Sequence, residues 1–407
     1  MEKVILVGVN IGNNLNFEEE IEEMKQLVYA CDMEVKETIV QNLHFPNKNT
    51  CINQGKIEEV GHRLYLDEIE TVVFNVDLTP SQQKELEDAW KCDVIDRTYL
   101  ILQIFEKRAQ TKEAFLQVEV ATLKYFLPRL KGSYTRMDRQ RGGSQNKGLG
   151  EKKIEIDSRT IQRQIYQAEK ELKKLESQRS IQRHQRNKSN IKKVALVGYT
   201  NTGKSSLLNA MNSKQVFEKD MLFATLTTNT RKVTLFNKHE FLLSDTVGFV
   251  SNLPHTLVEA FHSTLEEVKE ADLLLHVVDS HSSQLEKQKM TTIDTLAQID
   301  ASNIPVLMVY NKCDLSYIEH PAGNKDAVYI CAKEKDSIEF LLNTIDSILF
   351  KNVEVELFIP YEKGNVVSFI NEIANVLETE YKDEGTYIRV EMLEEYMNKI
   401  KEFIIRP

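Results

Sequence analysis

At 407 residues, 41% apolar and 28% charged, the chain is a globular protein too long for one ordinary core, so about two to four domains are expected. No apolar run approaches the roughly 20 residues of a membrane span and the N-terminus lacks a signal-peptide pattern, so no membrane span and a cytoplasmic location are expected. The net charge of −10 speaks against general polyanion affinity, and the five cysteines (Cys31, Cys51, Cys92, Cys313 and Cys331), scattered and without a C-x-x-C pair, argue against a disulfide framework or a zinc site.

From Met1 to about Ala109, β-rich runs (Val4 to Val7, Val35 to Val40, Val72 to Val76) alternate with helical stretches (Glu18 to Ala30, Ser81 to Trp90). This alternation predicts a small α/β domain over 1–109. The pattern then turns helical. Leu116, Val120, Leu123 and Leu127 form a stripe ending at Pro128, and Ile161, Ile165, Ala168, Leu172 and Leu175 repeat the stagger. The two stripes predict an antiparallel helical hairpin over 110–190, packed on itself, so a monomer is expected. The joining segment from Gly132 to Gly150 is too glycine-rich to fold stably alone, and is expected to stay mobile until something negative binds it.

Charge is concentrated in this region. Residues 121–193 hold twenty lysines and arginines against seven acidic residues, a surplus of +13, which leaves −23 for the other segments. A basic middle in an acidic chain predicts a localised RNA-facing element. The bland alternative is a solvated pair of charged helices.

Past this run, Val194 to Val197 reads as a buried strand leading into Gly198-Tyr199-Thr200-Asn201-Thr202-Gly203-Lys204-Ser205, with a helical run from Ser206 to Met211 behind it. Strand, Gly-x(4)-Gly-Lys-Ser and helix together predict a phosphate-binding P-loop. Its backbone N–H groups and the helix N-terminus attract phosphate. Lys204 is expected on the β and γ oxygens, and the Ser205 hydroxyl on Mg²⁺. Phe241 to Ser244 feeds Asp245-Thr246-Val247-Gly248, where the carboxylate reaches Mg²⁺ through water and the Gly248 N–H meets the γ-phosphate. Val306 to Tyr310 ends in Asn311-Lys312-Cys313-Asp314. A carboxylate at Asp314 accepts from both the ring N–H and the amine of guanine, so GTP and GDP are the expected nucleotides, with Asn311 and Lys312 tying the loops together. These motifs suit one doubly wound α/β domain over 191–352.

Two further segments complete the predicted pocket. Cys331-Ala332-Lys333 resembles the serine-alanine element under the guanine in many GTPases. Phe223-Ala224-Thr225-Leu226-Thr227-Thr228 belongs to a threonine-rich run preceding a strand, as expected of a first switch, in which one threonine ligates Mg²⁺. Spacing leaves the five threonines from Thr225 to Thr234 open. Beyond about Val353, a strand to Ile359, an amphipathic helix from Asn365 to Leu377 and strands at Thr386 to Val390 and Phe403 to Ile405 predict a small α/β appendage over 353–407.

The second switch and its continuation, from Asp245 through His255 and Phe261 to Glu267, resemble the signature of the HflX family of ribosome-associated GTPases. So do Asp96 to Phe105, Leu116 to Glu119 and Leu127 to Leu130, and the likeness spans nearly the whole chain. The resemblance implies an N-terminal domain with a long helical hairpin, a G domain, binding to the large ribosomal subunit and its RNA, and a role in splitting or rescuing stalled ribosomes. It selects Thr225 as the switch ligand for Mg²⁺. Three segments depart from the family: its Asp-Pro after Phe-Ala-Thr-Leu is Thr227-Thr228 here, the glycine-lysine-rich element of its N-terminal domain is reduced to Asn53-Gln54-Gly55-Lys56, and its Arg-Gly-Pro-Gly-Glu is Lys147-Gly-Leu-Gly-Glu151.

After Gly248, Phe249 stands where Ras-like enzymes place a water-orienting glutamine. Intrinsic turnover is therefore expected at no more than about 10⁻³ s⁻¹, with a partner adding roughly 10³ to 10⁵. Lys204, Thr225 and Gly248 are the expected catalytic positions. Asn201 resembles the P-loop asparagine of GTPases that recruit K⁺; a loop-capping role is the alternative. A ribosome-remodelling GTPase is the leading reading, a GTP-gated module for another RNA or protein the second, and a metabolic enzyme using GTP the third.

Overall fold

The computed structural model describes residues 1–12, 14–134, 147–187, 191–211, 229–235, 239–246, 248–250, 267–315, 327–350, 352–382 and 384–406. Its first part alternates β1 (Glu2–Ile11), α1 (Phe17–Ala30), β2 (Met33–Leu43), α2 (Gln54–Asp67), β3 (Thr71–Phe74), α3 (Pro80–Trp90), β4 (Asp93–Ile95) and α4 (Arg97–Arg108). The strands form a parallel sheet ordered β2-β1-β3-β4. Because alternate residues of a strand face opposite sides, Val4 and Leu6 pack toward α1 and α4, and Ile5 and Val7 toward α2 and α3. A capping box of Thr79 with Gln82, and Pro80 in the first turn, start α3. At α4 the Asp96 carboxylate accepts from Tyr99 N at 2.8 Å.

Two long helices follow, α5 (Lys112–Tyr134) and α6 (Lys147–Asn187). Leu116, Val120, Ile165 and Ala168 form their shared core, with Leu123, Leu127, Ile161, Leu172 and Leu175 packed against it, so the two predicted stripes meet within one chain. The first helix does not stop at Pro128. A proline removes one backbone N–H bond, and the next residue holds the turn in place: Arg129 donates to Tyr125 O at 3.0 Å, Leu78 O at 2.9 Å, Gln83 Oε1 at 2.8 Å and Asp96 Oδ2 at 2.9 Å. Its guanidinium also lies 3.4 Å over the Tyr125 ring. At the other end, α6 takes in Gly148 and Gly150, so the predicted loop is shorter than Gly132 to Gly150; the expectation of mobility falls on residues 135–146, which lie outside the described residues.

The third part holds β5 (Lys192–Val197), α7 (Lys204–Ala210), β6 (Asn229–Thr234), β7 (Glu240–Asp245), β8 (Leu273–Asp279), α8 (Leu285–Gln298), β9 (Val306–Asn311), β10 (Ala327–Tyr329) and α9 (Lys335–Leu349). The sheet order is β10-β9-β8-β5-β7-β6, parallel except for β6. The central strands are buried on both faces: Val194, Leu196, Leu273, Leu275 and Val277 pack toward α7 and α9, Ala195, Val197 and Leu274 toward α8. The order reverses at β5, which has β7 on one side and β8 on the other. A crevice therefore opens at the carboxyl end of β5, where doubly wound sheets bind ligands.

The last part is an antiparallel sheet ordered β12-β13-β11-β14, from β11 (Asn352–Pro360), β12 (Ala374–Lys382), β13 (Gly385–Leu393) and β14 (Ile404–Arg406), with α10 (Gly364–Ile373) packed on its apolar face. The predicted helix to Leu377 is corrected here. It ends at Ile373, and Ala374 begins β12, whose pairing with β13 satisfies the backbone that a longer helix would have served. Among the described residues no helix is long and apolar enough to cross a membrane.

Candidate functional site

The loop from Gly198 to Gly203 leaves β5 at the crevice and enters α7 at Lys204. Two of its glycines are required by space. Gly198 has φ +149, and a Cβ there would strike the Val277 carbonyl of β8; Gly203 has φ +91, and a Cβ would strike the Asn311 amide. Asn201 adopts φ +61, a left-handed conformation that asparagine tolerates better than most residues.

Lys204 is 6% exposed, and its Nζ donates to Tyr199 O at 2.5 Å and Gly198 O at 3.0 Å. Burial pulls its ammonium down to about 8, with the Asp245 carboxylate pushing back. Thr202 also donates to Tyr199 O, at 3.0 Å. Beside them Ser205 Oγ donates to Asp245 Oδ2 at 2.9 Å, and Asp245 is 1% exposed at the end of β7. Thr246 Oγ1 donates to Leu196 O at 2.6 Å, locking the segment after β7 to β5. Gly248 then sits so close that a Cβ would meet Thr200 Cγ2 at 2.8 Å and Lys204 Nζ at 3.0 Å. Thr200 N donates to Phe249 O at 2.8 Å and Phe249 N to Gly198 O at 3.1 Å, so the two phosphate-facing loops are bridged.

A second group of loops meets them from β8, β9 and β10. Asn311 Nδ2 donates to Thr202 O at 2.9 Å, and Asn311 Oδ1 accepts from Ala332 N at 3.1 Å. Lys312 Nζ donates to Asn201 O at 2.9 Å and pairs with Asp279 Oδ2 at 2.7 Å. Cys313 opens a 3-10 turn over Cys313–Leu315, and its N donates to Ile330 O at 3.2 Å, which brings Asp314 beside Cys331. Asp314 and Lys333 are exposed, Ala332 half-buried and Cys331 buried.

The described members of the predicted set thus lie on loops that meet at one crevice, but the Tyr199 side chain turns away from it into the apolar core of the N-terminal domain. Phe223, Ala224, Thr225, Leu226, Thr227, Thr228 and Val247 lie outside the described residues; Thr230 and Thr234 lie in β6. Sequence reading missed Asp279, although an apolar run ending in an acidic residue at a strand's carboxyl end is a usable signal. It also missed Glu23, and although Arg97 lies in the Asp96 to Phe105 motif, its pairing with Glu23 and that of Glu23 with Tyr199 join distant segments and leave no local signal.

Fold and crevice define a P-loop GTPase. Residues 18–106 match the family described as GTP-binding GTPase N-terminal, 108–186 the GTP-binding GTPase Middle Region, and 193–312 the 50S ribosome-binding GTPase. A GTPase HflX from Caldanaerobacter subterraneus subsp. tengcongensis is 42% identical over 405 residues, covering 99% of this chain and 94% of that one. One from Lacrimispora saccharolytica is 36% identical, covering 95% and 92%. Among solved structures, an SsGBP complex with GDP is similar with a TM-score of 0.48 at 25% identity, covering 86% of this chain and 98% of that one. The chain belongs to the HflX family of GTPases.

Proposed function

We propose that this GTPase binds the large ribosomal subunit through the hairpin of 110–190, between an N-terminal domain of 1–109 and a G domain of 191–352 with an appendage of 353–407, and acts as a monomer in GTP-dependent ribosome splitting or rescue. The observation that carries the reading is the hairpin itself: two long helices, most of whose length lies in the segment 121–193 of net charge +13, anchored on the N-terminal domain by Arg129. The match of 193–312 to a 50S ribosome-binding GTPase family supports the choice of partner. The departure at Lys147-Gly-Leu-Gly-Glu151 favours the second reading, a GTP-gated module for another RNA or protein.

In the proposed site, the loop from Gly198 to Ser205 wraps the phosphates and Lys204 neutralises the β and γ oxygens. Lys204 exchanges its carbonyl partners for phosphate oxygens, which restores the charge that burial disfavours. The Ser205 hydroxyl and the Asp245 carboxylate are already side by side, hard-oxygen chemistry that suits Mg²⁺, which Ser205 and Thr225 would hold directly and Asp245 through water. Mg²⁺ supplies neutralising charge at the phosphates. Gly248 offers its N–H to the γ-phosphate. Asp314 selects guanine, flanked by Cys331, Ala332 and Lys333, while Asn311 and Lys312 clamp the base loops to the P-loop. The Asn201 carboxamide, on an exposed residue, is a hard donor that fits K⁺.

Phe249 is 3% exposed in the core beside α8, and no side chain of its type orients water. Hydrolysis then waits on the partner. The test is GTP turnover by purified protein in K⁺ buffer, with and without purified large subunits. The expected result is stimulation of tenfold or more that Lys204→Ala abolishes; slow turnover with no stimulation would move the reading to another partner, and equal rates in Na⁺ would remove K⁺.

A further inference from the structure

We infer that Glu23, on α1 of the N-terminal domain, is a positioning residue for the nucleotide site: through Tyr199 it holds the phosphate-binding loop and sets how fast nucleotide leaves. The inference rests on the GTPase reading and adds a group outside its loops. Tyr199 is the second residue of the P-loop, yet its side chain is not in the crevice. It is 4% exposed within the apolar core of the N-terminal domain, together with Val250 from the segment after Gly248. Its hydroxyl donates to Glu23 Oε2 at 2.9 Å, and the other oxygen of the same carboxylate is paired with Arg97 Nη2 at 2.6 Å. All three side chains are buried, so each oxygen of Glu23 has an assigned donor and the hydroxyl is held in one place. One turn earlier on α1, Glu20 pairs with Lys287 of α8 at 3.3 Å, a second tether between the same helix and the G domain.

The Tyr199 peptide is the hub of the loop's internal bonding. Its carbonyl accepts from both Lys204 Nζ and Thr202 Oγ1, and its neighbours Gly198 and Thr200 are bridged to Phe249. A displacement of the ring must therefore move the carbonyl that holds Lys204 and the bridge that places Gly248. The same core contains Ala114, Val118, Ala121 and Tyr125 of α5, so the first helix of the hairpin and the P-loop tyrosine share one packed unit. Close-packed cores transmit displacement rather than absorb it. Whatever pulls on α5 thus acts on Tyr199, and by linkage nucleotide acts back on the hairpin.

The test uses the full-length protein loaded with a fluorescent N-methylanthraniloyl GDP and chased with excess GDP. Tyr199→Phe removes only the hydroxyl and leaves Glu23 with Arg97; Glu23→Asp keeps the charge but withdraws it from Tyr199. Each is expected to speed release by fivefold or more, and the double variant by no more than the larger single effect, because both remove one interaction. Thermal melts establish that the variants are folded. Release within twofold of the parent in folded variants, or multiplying effects in the double variant, would overturn the inference. Failure of the parent itself to bind the labelled GDP would instead count against the nucleotide site.

Discussion

In the proposed site, Lys204 is expected to make nucleotide binding sensitive to pH. Its ammonium, ordinarily near 10.5, is drawn to about 8 by burial. The free protein therefore sheds this proton more readily than the unfolded chain. The cost of burying the charge is present in full below pH 8 and relieved as pH rises toward 10.5, amounting to about 3 kcal/mol at the limit. Nucleotide binding has the opposite sign, since phosphate needs the ammonium. GDP affinity is expected to be flat up to about pH 8 and then to weaken by up to roughly tenfold per unit, read by fluorescence titration between pH 7 and 9. In Lys204→Met affinity is low throughout and that bend is absent; a bend that persists in the variant would assign it elsewhere. His276 titrates on the acid side. It is 1% exposed on β8, and burial first, then Lys289 and Lys204, lower its imidazole to about 4. The stability it supports is present above pH 6.5 and lost as pH falls toward 4.

At the scale of elements, the N-cap of α4 is the joint on which the hairpin hangs. Asp96 is fully buried and accepts from Tyr99 N, Leu78 N and Arg129, so one carboxylate starts α4, fixes the turn after β3 and anchors α5. Arg129→Met preserves the aliphatic packing and removes the cation. Breaking a buried pair from one side costs about 3–5 kcal/mol, and the expected result is a lower melting temperature. Desolvation raises the Asp96 carboxyl, with Tyr99 N and Arg129 restraining it. Without Arg129 it rises further, the folded state binds the proton more tightly, and stability falls as pH increases through that range. The loss in Arg129→Met is therefore expected to be larger at pH 8 than at pH 5. Equal losses would show that Asp96 is satisfied by its backbone donors alone. The strength of this joint also explains why Pro128 was misleading in the sequence: a proline marks a probable helix end, but four donations from the adjacent Arg129 outweigh one missing N–H. β12 was missed for a related reason. Ala374-Asn375-Val376-Leu377 fits helical and strand spacing alike, and only β13, a distant segment, decides between them. By contrast the P-loop was legible because it is a short contiguous motif whose chemistry is local, and Asn311 to Asp314 stands where its spacing puts it, at the carboxyl end of β9.

For the whole molecule, charge separates the working parts. The +13 of residues 121–193 lies within a chain of −10, so RNA affinity, where it exists, belongs to one segment and is repelled by the others. A segment that neutralises phosphates releases counterions, and the logarithm of the binding constant then falls linearly with the logarithm of salt, by about 0.7–0.9 for each phosphate neutralised. Binding of the GTP-loaded protein to purified large subunits, measured by co-sedimentation across a KCl series, is expected to fall steeply. Replacing Arg136, Arg139 and Arg141 together by glutamine should flatten the slope by roughly 2–3, while GDP release from the free protein stays at the parental rate. That pairing of outcomes separates two ideas that a single binding assay confuses. A flattened slope with unchanged release means that the arginines contact phosphate and leave the Glu23–Tyr199 contact alone. An unchanged slope would mean that the basic segment is a solvated surface and that subunit binding, if retained, runs through protein contacts instead.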